Sequence, residues 1–350
     1  MCNRSFLLFL LFFGHLLSLP AQQDYQVQRF TTDNGLPSNG IKGLQWDQTT
    51  GFLWIATESG VLRYNGVDLM PFPKDNGADL PAERMIFMLK NREGRIYTVD
   101  EDGRIFFVIA NKLQFLYNAG LDTRTSAFKL VGLAASGKLF RQSLDHPPSH
   151  YGFDYYKEQM IPLSETHMWL NHGDSLYDYV LGMLHPTFIT TLEAGSRLFY
   201  LRSRLFGFSD RQGFYRLDSG NYRKVPIPIK LAGAAPNAAW KPRQRSKGQG
   251  RLFWGCGMSN PILIKDSMAW VLDYKDQQLV SKLICSVVPM DAMISHVQYV
   301  ESSGTLFLGT SSKGIVVIRK LLVRPVKKPT PALTTILPIT VSCYCPMELY

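Results

Sequence analysis

Gly51-Phe52-Leu53-Trp54-Ile55-Ala56-Thr57-Glu58-Ser59-Gly60-Val61 reads as a glycine turn, a short apolar strand, a polar turn and the start of a second strand. Its elements return at a fixed step. Gly51, Gly94 and Gly137 lie 43 residues apart, each followed by an aliphatic and then an aromatic residue: Leu53-Trp54, Ile96-Tyr97 and Leu139-Phe140. Gly60 answers to Gly103 and Phe72 to Phe115 at the same spacing, so register holds across whole units. Glycine-fed apolar strands at a period in the low forties, with almost no helical periodicity, describe the blades of a β-propeller rather than the helix pairs of a solenoid.

Other copies follow. Gly304-Thr305-Leu306-Phe307-Leu308-Gly309-Thr310-Ser311-Ser312-Lys313-Gly314-Ile315 repeats the first unit with one extra residue. Weaker echoes stand at Gly250-Arg251-Leu252-Phe253 and at Leu205-Phe206-Gly207-Phe208-Ser209, the latter leading to Gly213-Phe214-Tyr215. Five units are clear and a sixth is expected between about Tyr156 and Arg202, with seven blades or an incomplete ring as the alternatives. The fold class is therefore all-β, a propeller of four-stranded blades.

Within the first unit the pattern predicts an inner strand at Gly40 to Asp47 and a second at Phe52 to Thr57. A third follows at Val61 to Asn65 and a fourth at Val67 to Phe72, with Asn65-Gly66 as a hairpin turn. The second unit repeats the plan at Ile86 to Lys90, Arg95 to Val99, Arg104 to Ile109 and Lys112 to Tyr117. Trp54, Tyr97 and Phe140 recur at one blade position, which argues for packing between blades rather than for a ligand-stacking ladder. Tyr25-Gln26-Val27-Gln28-Arg29-Phe30 alternates as a strand and is expected to complete the last blade.

Ahead of this array, Met-Cys-Asn-Arg precedes an apolar run from Phe6 to Leu19 and then Pro20-Ala21, the pattern of a secretory signal peptide over residues 1–21. The run is shorter than the roughly 20 residues that span a bilayer. The expected location is periplasmic or secreted, with the propeller at 22–320 and a proline-rich, disordered tail at 321–350, which reads as a linker or as the end of a truncated chain. The net charge of +10 is dispersed, apart from Arg243-Gln244-Arg245-Ser246-Lys247 and the stretch from Arg324 to Lys328, and an exported chain argues against nucleic acid as a partner. Five cysteines form no disulfide framework, with Cys256 and Cys285 reading as buried free thiols.

Phe30-Thr31-Thr32-Asp33-Asn34-Gly35-Leu36-Pro37-Ser38-Asn39, followed by the Gly51 to Gly66 unit, resembles the two-component regulator propeller repeat. That repeat builds the periplasmic sensor region of membrane-bound hybrid sensor histidine kinases and related regulators of Bacteroidetes-type bacteria. The resemblance covers about Tyr25 to Lys320, with Ala56 in place of the usual glycine and Asn65 in place of the usual aspartate. It implies an extracytoplasmic sensor for an oligosaccharide or other extracellular ligand. In such relatives the output is carried by further blades, a membrane helix and a cytoplasmic histidine kinase.

The residues offer no catalytic motif: there is no Gly-x-Ser-x-Gly elbow, no phosphate-binding loop of Walker type and no His-Glu-x-x-His helix. No metal site and no cofactor are expected, and His146-Pro-Pro-Ser-His150 reads as a surface turn. The expected function is binding rather than catalysis, on the face whose loops lead into the inner strands. With Ile41, Ile86 and Ile294 aligned, Asn39, Arg84 and Ala292 fall at one equivalent loop position. Asn39, Arg84 and His296 are the candidate ligand-binding residues. Two other readings stand beside this one: a lyase-like propeller enzyme with His296 as base, and a non-signalling fragment whose open edges would make it a homodimer.

Overall fold

The computed structural model describes residues 25–72, 84–91, 94–118, 159–163, 167–180, 187–193, 195–218, 220–233, 250–255 and 257–321. Strand β1 (Tyr25–Phe30) precedes sheet I, formed by β2 (Ile41–Asp47), β3 (Phe52–Thr57), β4 (Gly60–Tyr64) and β5 (Leu69–Pro71). Sheet II holds β6 (Met85–Lys90), β7 (Ile96–Asp100), β8 (Arg104–Ile109) and β9 (Lys112–Asn118). Sheet III holds β10 (Gln159–Pro162), β11 (His167–His172), β12 (Ser175–Val180) and β13 (Thr187–Thr191). Sheet IV holds β14 (Arg197–Leu201), β15 (Arg204–Ser209), β16 (Gly213–Leu217) and β17 (Lys224–Pro226).

Sheet V has a fifth strand. β19 (Arg251–Phe253), β20 (Ile262–Lys265), β21 (Met268–Lys275) and β22 (Gln278–Cys285) follow the blade plan, and β18 (Ile229–Lys230) pairs parallel to β22 along its outer edge. Sheet VI is made of β23 (Ile294–Val300), β24 (Thr305–Thr310) and β25 (Ile315–Lys320), with β1 as its outermost strand. The pairing runs antiparallel from Tyr25 opposite Lys320 to Phe30 opposite Ile315, so the first strand of the chain completes the last blade as its alternation predicts.

The sheets close on one another through apolar seams, each shared by two neighbours. Trp54 and Ala56 of sheet I pack with Met85, Met88 and Phe106 of sheet II, and Phe87, Tyr97 and Val99 of sheet II with Met168, Leu170 and Tyr179 of sheet III. Ile161 and Leu176 meet Leu198 and Tyr215 at the next seam, and Phe199 and Phe206 meet Leu263 and Trp270 at the one after. Ile262 and Ile264 pack with Val297 and Leu308, and Phe307 and Val317 return to Leu53 and Tyr64 of sheet I. The described residues therefore form a ring of six blades. First strands lie side by side, β2 beside both β6 and β23, and β10 beside β14, so these strands line the central channel.

Trp54 and Tyr97 are buried in the seams, as their repeated placement predicts, while Phe140 and the whole Gly137 copy lie outside the described residues. Sheet III, which packs directly on sheet II, comes from the stretch beginning at Gln159. Cys285 is a buried free thiol, and burial pushes its pKa up to about 11, which makes it a weaker acid. Cys256, residues 1–24 and residues 322–350 lie outside the described residues.

A buried polar side chain ends the second strand in four of the six sheets, Thr57, Asp100, Ser209 and Thr310, and in sheet III Asn171 stands one residue before the end. Most of them tie down the hairpin that follows. Thr57 Oγ1 accepts from the Ser59 N–H and donates to the Gly60 carbonyl. Asp100 accepts from the Arg104 N–H and Nε, and Thr310 Oγ1 accepts from the Lys313 N–H. Backbone groups that the turn would orphan are satisfied locally, which lets a short hairpin stand at the rim of a buried seam.

Candidate functional site

Inner strands begin at the face that carries the β3–β4 hairpin and its counterparts, here the upper face. Three of them share a bulge at the same level. Pairing skips Lys42 between Ile41 and Gly43, Ile86 between Met85 and Phe87, and Ser295 between Ile294 and His296. In all three blades the carbonyl before the bulge accepts from the hairpin opposite: Gly40 from Glu58, Arg84 from Glu101 and Met293 from Ser311. A bulge adds one residue to one strand and re-aims the side chains around it.

This register corrects the alignment expected from sequence. Met85, not Ile86, stands where Ile41 and Ile294 stand, so Arg84 matches Gly40 and Met293 rather than Asn39 and Ala292. The true counterpart of Asn39 in sheet II is Glu83, outside the described residues. The extra residue of the bulge lets a different apolar side chain carry the apparent register.

The three candidates have different surroundings. Asn39 is a staple: its Oδ1 accepts from the Thr32 N–H at 3.0 Å, its Nδ2 donates to Thr32 Oγ1 at 3.2 Å, and its carbonyl accepts from the Gly314 N–H. Together with the capping box from Thr31 to Asn34 and the buried Leu36, it fixes the segment that leads from β1 into sheet I. Arg84 is exposed, and its guanidinium lies 3.9 Å from Glu58. The Nδ1 of His296 lies 3.0 Å from Ser295 Oγ. Burial and the charge of Lys42 push His296 down to about 4, which keeps the ring neutral near pH 7.

Three residues beyond the expected candidates, Lys42, Glu58 and Arg251, complete the upper rim. Lys42, the bulged residue of sheet I, holds Glu58 Oε1 at 2.7 Å, and this hydrogen bond keeps the Glu58 carboxyl below its usual range. Gly40 makes room for the carboxylate, since a β-carbon there would lie 2.8 Å from Glu58 Cδ. Arg251, the first residue of β19, donates across the seam to the Ile294 carbonyl at 3.3 Å. Arg251, His296, Lys42 and Arg84 thus follow one another along sheets V, VI, I and II.

The lower end of the channel is filled. Between β19 and β20 the chain leaves sheet V, and Trp254 packs at the seams on both sides of sheet IV while Met258 packs at the seam of sheets V and VI. Gly257 reaches sheet II, the blade opposite in a ring of six, where a β-carbon would lie 2.7 Å from the Lys90 carbonyl oxygen. A loop from one blade that touches the opposite one crosses the axis, and the left-handed φ of +81° at Gly257 is what lets it approach so closely. Lys90 donates from Nζ to the Trp46 carbonyl at 3.1 Å, and burial pushes its amine down.

Among the described residues no three His, Cys, Asp or Glu side chains come together as a metal ion would require. No protein-family model and no curated protein matches the chain. Solved structures similar to it include the extracellular domain of a putative hybrid two-component system from B. thetaiotaomicron, at 11% identity and a TM-score of 0.44. That likeness covers 85% of this chain and 42% of the other, so the chain spans well under half of its neighbour. The extracellular domain of a putative one-component system from the same organism is similar at 14% identity and a TM-score of 0.40, over 83% of this chain and 39% of that one. A gluconolactonase from Xanthomonas campestris is similar at 11% identity and a TM-score of 0.43, over 85% and 90% of the two chains. At these values the likenesses concern the path of the chain and carry nothing about its activity.

Proposed function

We propose that this chain is an extracytoplasmic, ligand-binding propeller of the sensor kind, acting by binding and not by catalysis. One observation carries the reading: the channel is plugged at its lower end by the β19–β20 loop, while its upper rim presents charged side chains from sheets V, I and II, with the neutral His296 of sheet VI between them. A ligand then approaches from above and rests on Arg84, Lys42, Glu58 and Arg251, with His296 beneath. Loops on a rigid scaffold are where binding residues concentrate, and here the inner bulges give them a fixed footing. The sequence resemblance to sensor propellers and the leader-like first residues support the same compartment. An oligosaccharide is the ligand class that the resemblance favours.

The test is a thermal-shift screen of the full chain against plant, algal and host oligosaccharides. A ligand at about 100 times its dissociation constant stabilises the fold by about 2.7 kcal/mol. Any hit should be lost in Met293→Trp, which places an indole at the rim beside the bulge of sheet VI. Hits that survive that substitution would place the ligand elsewhere and refute the upper-rim site.

A further inference from the structure

We propose that the upper rim recognises a carboxylate on its ligand, and that Glu58 is a built-in stand-in for that group, displaced when the ligand arrives. The inference rests on the upper-rim reading and adds the chemistry of the ligand to it. Three cations stand on this rim: Arg251 reaches across the seam of sheets V and VI, Lys42 pairs with Glu58 within sheet I, and Arg84 faces Glu58 across the seam of sheets I and II. One carboxylate serves two of them. Glu58 accepts from Lys42 at 2.7 Å but stands 3.9 Å from Arg84, an ion-pair distance too long for a hydrogen bond. More than half of the Arg84 side chain is exposed, at 54%, so its planar fork of donors is largely unspent. Arg251 is exposed as well and makes one long bond to a neutral carbonyl.

Arginine forks match carboxylates in pairs of parallel hydrogen bonds, so one ligand carboxylate would supply what Arg84 lacks and a second, on an acid that carries several, what Arg251 lacks on the other side of the rim. The bulge explains why Lys42 is there. In sheets II and VI the same extra residue is Ile86 or Ser295, whereas in sheet I it is a lysine whose amine meets Glu58. Gly40 beneath Glu58 keeps this arrangement possible, because any side chain there would push the carboxylate off Lys42. The rim thus already holds a carboxylate where a ligand's own would bind.

Titration calorimetry on the full chain, at fixed ionic strength, separates the possibilities with three probes: citrate, oligogalacturonate and neutral cellohexaose. We expect a carboxylate probe to bind and the neutral one to stay silent. Arg84→Gln, Lys42→Gln and Arg251→Gln should each weaken the binding about tenfold or more, the usual scale for a hydrogen bond to a charged group. Glu58→Gln should tighten it, because the competing internal carboxylate is gone. A response to oligogalacturonate alone says that the carboxylate is carried on a sugar chain, and a response to citrate says that a free anion suffices. No binding by either acid overturns the proposal. So does cellohexaose binding that Arg84→Gln leaves unchanged, and if Met293→Trp abolishes that binding the upper-rim reading stands without it.

Discussion

Gly207→Ala tests the packing of the ring at a single methyl group. Gly207 on β15 sits opposite Tyr215 on β16, and a β-carbon there would fall 2.2 Å from the Cζ of Tyr215 and 2.4 Å from its Cε2 and Oη. The ring has nowhere to go. Tyr215 is 2% exposed and is wedged among Leu198, Leu205 and Leu217 at the seam of sheets III and IV. Overpacking of this kind costs about 1–3 kcal/mol, and a contact this short belongs at the upper end. Gly207 is not among the residues with positive φ, so alanine fits its backbone and recovers about 0.5 kcal/mol by restricting the unfolded chain. The net loss should be about 2 kcal/mol. Urea unfolding, read as a shift in midpoint at unchanged slope, measures it. The companion Tyr215→Ala should lose about 3–5 kcal/mol through its cavity. The double variant should lose no more than Tyr215→Ala alone, since the methyl then fills space, giving a coupling of about 2 kcal/mol. A Gly207→Ala protein within about 0.5 kcal/mol of the parent, or an additive cycle, would refute the reasoning.

Further expectations concern the closure of the ring and its turns. Arg29 and Lys313 hold the Asp291 carboxyl down at about 2, which stabilises the fold above the unfolded value near 4 and is lost as pH falls toward 2. The shift alone would be worth about 2.5 kcal/mol, but Asp291 and Lys313 are each 47% exposed, so screening should leave less than about 1. Asp291→Asn should show that deficit at pH 7 and none at pH 2 in parallel denaturation curves. The two-residue turns Arg202-Ser203 and Asp276-Gln277 hold positive φ at both positions without glycine, so Ser203→Gly and Gln277→Gly should each raise stability by about 0.5–1 kcal/mol. Removing β1 exposes the edge of β25, and light scattering should then find larger species than the parent forms under the same conditions. A monomeric, cooperatively folding truncation would contradict the closure.

Much of the fold could be read in the chain because turn glycines and strand alternation are local signals. The strands of sheets I and II fall within a residue or two of their expected bounds, and the β1 pairing follows from its alternation together with the way propeller rings close on their first strand. What the sequence hid is non-local. The bulge in β6 shifted the apparent match by one residue, because a neighbouring isoleucine carried the same apolar signal as Met85. The parallel strand β18 spans two residues, too few for any periodicity, and its place is set by β22 far along the chain. The lower plug is a glycine- and proline-containing loop whose meaning depends on Lys90 in the opposite blade. At the upper rim, Arg84 and His296 were recognisable by their place near inner strands. Lys42 and Glu58 were not, because an ion pair between a bulge and a hairpin leaves no spacing to detect. Asn39 stood out for a structural reason, since its side chain knots the approach to the first blade.

Strand β1 lies antiparallel to β25, with Tyr25 opposite Lys320, so the two ends of the ring leave it from the same end of one pair. Tension drawn between whatever precedes residue 25 and whatever follows residue 320 would therefore load that pair one rung at a time, like a zipper, and not along its length. The last blade is the mechanical fuse of the molecule. A pull on the termini would open it first, beginning at Tyr25 and Lys320, before any force reached the blades between.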